Sequence, residues 1–159
     1  MATSKLKSAS AGRGAAAKRK LDETALANCR RILNGGMAKS LGLRMTRITP
    51  RKLVGEMKVL PRHTNFNGGI NGGAIMAFAD LIGAMGAALH RPPGYRGGTI
   101  ESKTNFLAQG KGATMTGECV PLHVGRTTSV WQTTVKNADG RPIAVVTQTQ
   151  VALPADAGV

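Results

Sequence analysis

Aromatic and acidic residues are both scarce in this chain of 159 residues. Aromatic side chains make up 3% of the composition and hydrophobic residues together 42%, so a core has to be built from Ala, Val, Ile, Leu and Met. Asp and Glu total 8 against 22 Lys and Arg, which gives a formal net charge of +14. A surplus of this sign favours an anionic ligand or partner, although an ordinary positive surface has the same composition.

Cysteines and long apolar runs are also rare. Cys29 and Cys119 lie ninety positions apart, which forms neither a metal-binding motif nor a disulfide framework, so we expect both thiols to be reduced and buried. The longest apolar run, residues 74–89, is too short to span a bilayer and contains Asp80. The first twenty residues lack the apolar segment of a signal peptide. These absences favour a cytoplasmic protein without a membrane span.

The positive charge is dense at the N-terminus but extends beyond it. Residues 1–20 carry six cations and no acid, which predicts a basic disordered tail; a transit peptide to the mitochondrial matrix is the alternative. This tail has no aromatic residue and no recognisable DNA-binding motif, which disfavours nucleic acid as a partner. The other +8 lies on the rest of the chain, where we place one domain at residues 21–155.

Hydrophobic periodicity and turn residues divide this domain into helices and strands. They predict a short helix from Asp22 to Gly35, a β-hairpin around Pro50, and a long helix from about Gly72 to His90. Four further strands are expected near residues 98–108, 113–124, 126–137 and 141–153. The class is therefore α+β, with a curved antiparallel sheet wrapped around the long central helix, the only predicted element apolar enough to cover it.

The central helix carries a single acid on an apolar background. Asp80 is the only acidic residue between Glu56 and Glu101, and its neighbours on the helix surface are mostly small. Small residues would let another surface approach this face closely. The apolar stripe that we expect to face the sheet lies elsewhere on the helix and consists of Ile75, Phe78, Ile82, Met85 and Leu89.

A glycine-rich loop, "NFNGGINGG", leads into this helix. We expect Gly72 and Gly73 in the first helical turn, where backbone N–H groups have no acceptor within the helix. Such groups, with the helix dipole behind them, can polarise a carbonyl oxygen or hold an oxyanion. The segment thus combines an oxyanion-type donor with a carboxylate, although a loop of this kind and one solvated helical Asp are also common without any catalytic role.

Helical geometry separates these two groups within one chain. Gly72 and Asp80 are eight residues apart, which is about 12 Å along a helix axis. Two helices packed antiparallel would bring Gly72 of one chain to Asp80 of another. We therefore expect a two-fold dimer with two composite sites.

The segment "HTNFNGGINGGAIMAFAD" resembles the active-site segment of the PaaI-like acyl-CoA thioesterases of the hotdog fold. That family shows an Asn, then His-Gly-Gly six residues later, then an Asp in the central helix; Asn65, residues 71–73 and Asp80 match this spacing. The segments "GGTIESKTNFLAQGKG" and "HVGRTTSVWQTTVKNADGRPIAVVTQTQ" resemble its third strand and last hairpin. The similarity covers roughly residues 36–153.

This resemblance implies hydrolysis of the thioester of a small or medium acyl-CoA by a homodimer or a dimer of dimers, with no cofactor apart from the coenzyme A of the substrate. Asp80 would be the general base or nucleophile, the Gly72 N–H would polarise the carbonyl, and Gly73 would help to bind the substrate. Asn65 would orient the water or the carbonyl, and Thr99 would lie near the attacking water. The phosphates of coenzyme A would be met by Gly125 and Arg126, with Lys111 as a weaker candidate.

One departure from the family pattern keeps other functions open. Asn71 stands where the family has His. If that His contributes only structure and a backbone N–H, Asn71 can replace it. If its imidazole matters, activity would be weak or the substrate class different. The departure also leaves open a non-catalytic acyl-CoA-binding or regulatory hotdog protein. A hydratase or dehydratase is disfavoured, because those enzymes pair a His with the acid and no His is suitably spaced from Asp80.

Overall fold

The computed structural model describes residues 23–157, so the predicted basic tail and the helix cap Asp22 lie outside the described part. Three α-helices, one short 3-10 helix (Pro61–His63) and six strands occur within that range. The α-helices are α1 (Glu23–Asn34), α2 (Gly36–Leu41) and α3 (Gly72–Ala88). The strands are β1 (Arg44–Thr49), β2 (Lys52–Lys58), β3 (Tyr95–Phe106), β4 (Thr114–Val124), β5 (Thr128–Asn137) and β6 (Pro142–Pro154).

The six strands form one antiparallel sheet in the order β1-β2-β4-β5-β6-β3. The predicted hairpin of β1 and β2 and the neighbouring strands β4, β5 and β6 are confirmed. Strand β3 is also antiparallel, but it pairs with β6 rather than with its successor β4, an order that the sequence did not indicate. The chain therefore crosses from an edge of the sheet to its middle after β3. Among residues 23–157, this crossing leaves β3 as an edge strand with one unpaired side.

Helix α3 lies against the sheet through the predicted apolar stripe. All five residues of that stripe are buried, and Phe78, Ile82 and Met85 are fully so. Glycine on the sheet permits the close packing: a Cβ added at Gly117 would lie 2.7 Å from the Phe78 ring, and one at Gly55 would lie 2.9 Å from Ile82. Among the helices of the described residues, none is long and apolar enough to cross a membrane.

The N-terminal helix is confirmed, but it is followed by a second helix that the sequence did not indicate. Gly35 was expected to end the helical segment, yet the chain turns at Gly36, with φ of +40°, and continues as α2. Helix α2 ends where Gly42 adopts the left-handed conformation, with φ of +68°. A glycine that redirects the chain between two helices has the same sequence signature as one that terminates a helix.

Both cysteines are unpaired and buried, as expected. Burial raises the pKa of Cys29 and of Cys119 to about 11. We predict that neither thiol reacts with an alkylating reagent in the folded protein at neutral pH, because the thiolate is the reactive form. The stability that these neutral thiols contribute should be complete below pH 9.0 and should fall as the pH rises towards 11. Rapid labelling at pH 7 without denaturant would contradict this.

Candidate active site

Asp80 is held by side chains from two strands. One of its carboxylate oxygens, Oδ1, accepts hydrogen bonds from the Thr99 hydroxyl at 3.0 Å and from the Gln148 amide Nε2 at 3.1 Å. The same Nε2 donates to the Asp80 backbone carbonyl at 3.2 Å. Thr99 lies on β3 and Gln148 on β6. The carboxylate is therefore fixed against the end of the sheet that carries the free edge.

A second glutamine orients the Thr99 hydroxyl. Gln150 Nε2 donates to Thr99 Oγ1 at 2.8 Å, so the hydroxyl proton is directed at Asp80 Oδ1. Both donors reach Oδ1, and within residues 23–157 no hydrogen bond reaches the other carboxylate oxygen, Oδ2. Since Asp80 is only half-buried, Oδ2 is the oxygen left to act on a water or a substrate.

A β-bulge in β3 changes which residues of this strand face α3. The register with β6 shifts between Thr99 and Glu101, which leaves Ile100 without a partner of its own. Thr99 and Phe106 are seven residues apart and would face opposite sides of a regular strand. Because of the shift both meet α3: Thr99 contacts Asp80, and the Phe106 ring lies against Gly72, where an added Cβ would be 3.1 Å from Cζ.

Gly83 provides the space for Gln148. The Gln148 side chain is completely buried, and a Cβ added at Gly83 would lie 2.3 Å from its Oε1. This Oε1 has no hydrogen-bond partner among the described residues. A buried amide whose oxygen lacks a hydrogen-bond partner costs folding free energy. We therefore attribute the position of Gln148 to the two hydrogen bonds that its Nε2 donates to Asp80.

We predict that Gly83→Ala lowers turnover roughly ten- to a hundredfold by displacing the Gln148 amide from Asp80, because small misplacements of a catalytic group have effects of this size. The measurement is kcat on the best thioester substrate, with the melting temperature as a check on folding. In a Gln148→Ala background the same substitution should have little further effect. An equal loss in both backgrounds would show that Gly83 acts by another route.

The sequence did not single out Gln148, Gln150 or Gly83. A signal for the two glutamines is present in "VVTQTQV", where amides occupy alternate positions of a predicted strand that otherwise alternates apolar residues inward. Two polar side chains on the inner face of a strand require partners in the core. For Gly83 the sequence offered only its place one turn from Asp80.

At the start of α3 the structure changes the expectation for the oxyanion donors. Asn71 is the N-cap residue, and its side-chain Oδ1 accepts the Gly73 N–H at 2.8 Å. The Gly73 donor is therefore occupied. Gly72 is the first residue of the helix, and its N–H has no acceptor in the described part of the chain. Of the two predicted glycines, only Gly72 offers a free N–H.

This cap explains how Asn can replace the family His at position 71. Asn is among the best N-cap residues, so it can fix the helix start without an imidazole. We predict that Asn71→Ala lowers the free energy of unfolding by about 1 kcal/mol, while Asn71→Asp and Asn71→Ser preserve it. Denaturant unfolding measures the difference. A loss of activity by orders of magnitude in Asn71→Ala, at unchanged stability, would instead show a catalytic role for the amide.

Asn65 shapes the loop that precedes the helix. Its side-chain Oδ1 accepts the N–H groups of Asn67 and Gly69, at 2.9 and 3.1 Å, while its own N–H donates to the Gly69 carbonyl. The neighbouring His63 is buried, and its Nδ1 accepts the Leu60 N–H. The structure does not bring Asn65 to Asp80 within one chain.

The residues expected to meet phosphates fall at opposite ends of the sheet. Gly125 and Arg126 form the turn before β5 and line a small pocket with His90 and Arg91 beyond the C-terminus of α3. Lys111 lies beside the other end of β5, where its N–H donates to Asn137. Ten residues of strand separate these ends by roughly 30 Å. Arg126 and Lys111 of one chain therefore cannot hold the same phosphate group.

The described residues contain no group of three or more His, Cys, Asp or Glu side chains that could hold a metal ion. The chemistry that the site offers is that of one carboxylate with a free oxygen, a hydroxyl beside it, and a free N–H at a helix N-terminus. Such groups are suited to attack on a carbonyl carbon with stabilisation of the oxyanion that forms.

Comparison with known proteins gives a consistent relationship. The thioesterase superfamily matches residues 67–144. The chain is 34% identical over 106 residues to the proofreading thioesterase EntH of Klebsiella pneumoniae, covering 66% of this chain and 77% of that protein. A thioesterase structure from Haemophilus influenzae superposes with a TM-score of 0.76 at 20% identity, covering 87% and 95% of the two chains. The E. coli PaaI protein gives 0.74 at 21% identity, covering 84% and 96%.

The two solved structures establish the fold, and the EntH relative establishes the family. The predicted hotdog architecture, with its sheet around a central helix, and the predicted class of enzyme, a thioester hydrolase, are both confirmed. This chain belongs to the hotdog-fold thioesterase superfamily.

Proposed function

We propose that this protein hydrolyses acyl-coenzyme A thioesters in sites shared by two copies of the chain. The observation that carries the proposal is the free Oδ2 of Asp80 on a carboxylate whose other oxygen is held by Thr99 and Gln148. A protein that only bound acyl-CoA would have no need of a carboxylate fixed in this way. The reaction uses no cofactor beyond the coenzyme A of the substrate, and the unpaired cysteines suit a cytoplasmic location.

The proposed step is attack on the thioester carbonyl carbon. Oδ2 of Asp80 takes a proton from a water while the water oxygen bonds to the carbonyl carbon, or Oδ2 attacks that carbon itself and water releases the acyl group afterwards. In either case the negative charge on the carbonyl oxygen is stabilised by the Gly72 N–H at the positive end of the α3 dipole. The carbon–sulfur bond then breaks, and the coenzyme A thiolate leaves and is protonated.

The free edge of β3 supplies the means of bringing two copies together. Three large apolar side chains are exposed on or beside it: Ile100, Phe106 and Leu107. Within one chain Thr99 contacts Asp80, and Phe106 lies against Gly72. Antiparallel pairing of β3 with its copy, centred between Ser102 and Lys103, sets Thr99 opposite Phe106 of the second copy. Asp80 then meets Gly72 of that copy, which overcomes the separation of about 12 Å within one chain.

The same antiparallel arrangement gives the two distant basic residues a common role. Lys111 lies at the Gly72 end of the fold, whereas Gly125 and Arg126 lie at the opposite end, beyond the C-terminus of α3. Reversal of one copy brings the Lys111 end of one chain towards the Arg126 end of the other. Both residues can then contribute positive charge to the phosphates of one coenzyme A.

The test is release of free coenzyme A thiol from a panel of acyl-CoA thioesters by the full chain. We expect turnover that depends on the acyl group and a single best class of substrate. Tight binding of acyl-CoA without thiol release would replace hydrolysis by the binding or regulatory alternative. Neither binding nor hydrolysis of any member would refute coenzyme A thioesters as ligands.

A further inference from the structure

A cavity of about 300 Å³ lies beside the Asp80 network, between α1, the second half of α3 and the start of β3. Thr99 and Gln150 line one part of it, so it begins at the hydroxyl that holds Asp80. Its floor on α3 includes Ala84, one turn beyond Asp80. A chain attached to a carbonyl at Asp80 would enter this space.

Of the residues that the structure describes, two arginines and no acid line this cavity. Arg31 reaches it from α1, and Arg91 follows α3. Neither forms a salt bridge or a hydrogen bond with any residue from 23 to 157. Arg91 is half-buried, and burial followed by the positive charge of Arg31 lowers its pKa, partly offset by Cys29. Arginine stays protonated in proteins, so the cavity holds two unpaired positive charges.

Gly97 fixes where the Arg91 charge lies. A Cβ added at Gly97 would be 2.6 Å from Arg91 Nη2, so the guanidinium lies directly against the backbone of β3 at this glycine. Gly97 and Thr99 share the strand face that meets α3, and they are about 7 Å apart along the strand. The distance from the Arg91 guanidinium to the Thr99 hydroxyl that contacts Asp80 therefore corresponds to the length of a short acyl chain.

We propose that this cavity is the acyl pocket and that Arg91, assisted by Arg31, binds a carboxylate at the far end of the acyl group. The substrates are then coenzyme A half-thioesters of short dicarboxylic acids. This inference rests on the proposed function, since it places the thioester at Asp80. A planar guanidinium pairs with a carboxylate through two parallel hydrogen bonds, and partial burial strengthens that pairing relative to water.

The other source of an anion for Arg91 is a phosphate of coenzyme A. Arg91 also borders the small pocket that contains Arg126. The larger cavity favours the acyl carboxylate, because it is continuous with Thr99 and Gln150, which touch the Asp80 network. The two sources differ in a measurable way, since every coenzyme A derivative carries the phosphates and only some carry an acyl carboxylate.

The experiment is calorimetric titration of full-length Asp80→Asn protein, in which consumption of the thioester is strongly slowed. The three ligands are glutaryl-CoA, the branched acyl-CoA in which an isopropyl group replaces the terminal carboxylate, and free coenzyme A. We expect glutaryl-CoA to bind at least about tenfold more tightly than its branched isostere, as charge-assisted hydrogen bonds allow. Arg91→Met should abolish this preference while leaving the isostere and free coenzyme A within about twofold.

Two further variants separate the effect of the positive charge at position 91 from the effect of the position of the guanidinium. Arg91→Lys should keep part of the preference, because a lysine retains the charge but not the paired geometry. Gly97→Ala should remove most of it with Arg91 unchanged, because the added Cβ displaces the guanidinium. Arg30→Gln on the exposed face of α1 is the matched control and should change nothing.

The outcomes are distinct. Equal affinity of the Asp80→Asn protein for glutaryl-CoA and its isostere would overturn the inference. Equal loss of affinity for all three ligands in the Arg91→Met variant would also overturn it, because Arg91 would then bind the phosphates. A carboxylate preference in a wild-type protein that hydrolyses none of the thioesters would support the pocket and refute the proposed hydrolysis. Hydrolysis of both acyl-CoAs at equal efficiency would support the proposed hydrolysis and refute the assignment of the acyl pocket.

Discussion

Asp80→Asn should abolish most of the thioesterase activity while leaving the protein folded. The substitution is unusually clean at this site, because the oxygen that accepts from Thr99 and Gln148 has a counterpart in the Asn side chain. Only Oδ2 changes, from a charged acceptor to an amide donor. General base catalysis contributes about 10²–10⁴-fold to turnover, and we expect kcat to fall by a factor in this range.

The melting temperature and the affinity for acyl-CoA should stay close to those of the wild type, since the hydrogen-bond network and the cavity are retained. Glu101→Gln, which neutralises an exposed carboxylate on the same strand as Thr99, is the matched control and should keep full activity. Near-normal turnover of Asp80→Asn would exclude the carboxylate as base or nucleophile, whatever the behaviour of its neighbours.

Local signals in the sequence were sufficient to predict the positions of most helices and strands. The α3 stripe has a clear helical period, and the strands are bounded by glycines and by the Asp139-Gly140 turn, so the helix and strand positions agree with the structure. Strand order was less accessible, because the pairing of β3 with β6 depends on contacts across some fifty residues of chain. Helix α2 was not predicted, because a glycine that ends a helix cannot be distinguished in the sequence from one that redirects the chain into a second helix.

The candidate site was foreseen in part, and the missed part has one physical cause. Asp80 and Gly72 belong to a segment with a recognisable spacing, and Thr99 lies in a second segment that resembles the family's third strand. Gln148 and Gln150 come from a strand about seventy residues further along the chain than Asp80, and only the folded sheet brings Gln148 to Asp80 and Gln150 to Thr99. The sequence placed Gly72 and Gly73 together in the first helical turn, but only the structure shows that the Asn71 cap occupies the Gly73 N–H. The sharing of the site between two copies remains a prediction.

Gly72→Pro should be nearly as damaging as Asp80→Asn, and for an independent reason. Proline removes the N–H that we assign to the thioester carbonyl, and loss of one such donor lowers kcat by about 10²–10³-fold. The fold tolerates proline here: position 72 is the first residue of α3, and Asn71 has φ of −64° and ψ of 134°, a conformation that suits a residue before proline. The Phe106 ring that contacts Gly72 is half-exposed and can move.

Gly72→Ala provides the matched control for this substitution. It adds a Cβ against the same Phe106 ring but retains the N–H. We expect it to keep most of the activity. If Gly72→Ala is as inactive as Gly72→Pro, the defect comes from crowding at the helix start and not from the missing donor.

The central claim, that each site combines Asp80 of one chain with Gly72 of another, is tested most directly by the heterodimer of these two inactive variants. Gly72→Pro and Asp80→Asn chains are co-expressed with different tags, and the mixed dimer is isolated by two affinity steps. If the sites are composite, one site of the mixed dimer receives both defects and the other receives neither, so the account predicts about half of the wild-type kcat per dimer. A pure, folded mixed dimer with no activity above that of the two parent homodimers would contradict it.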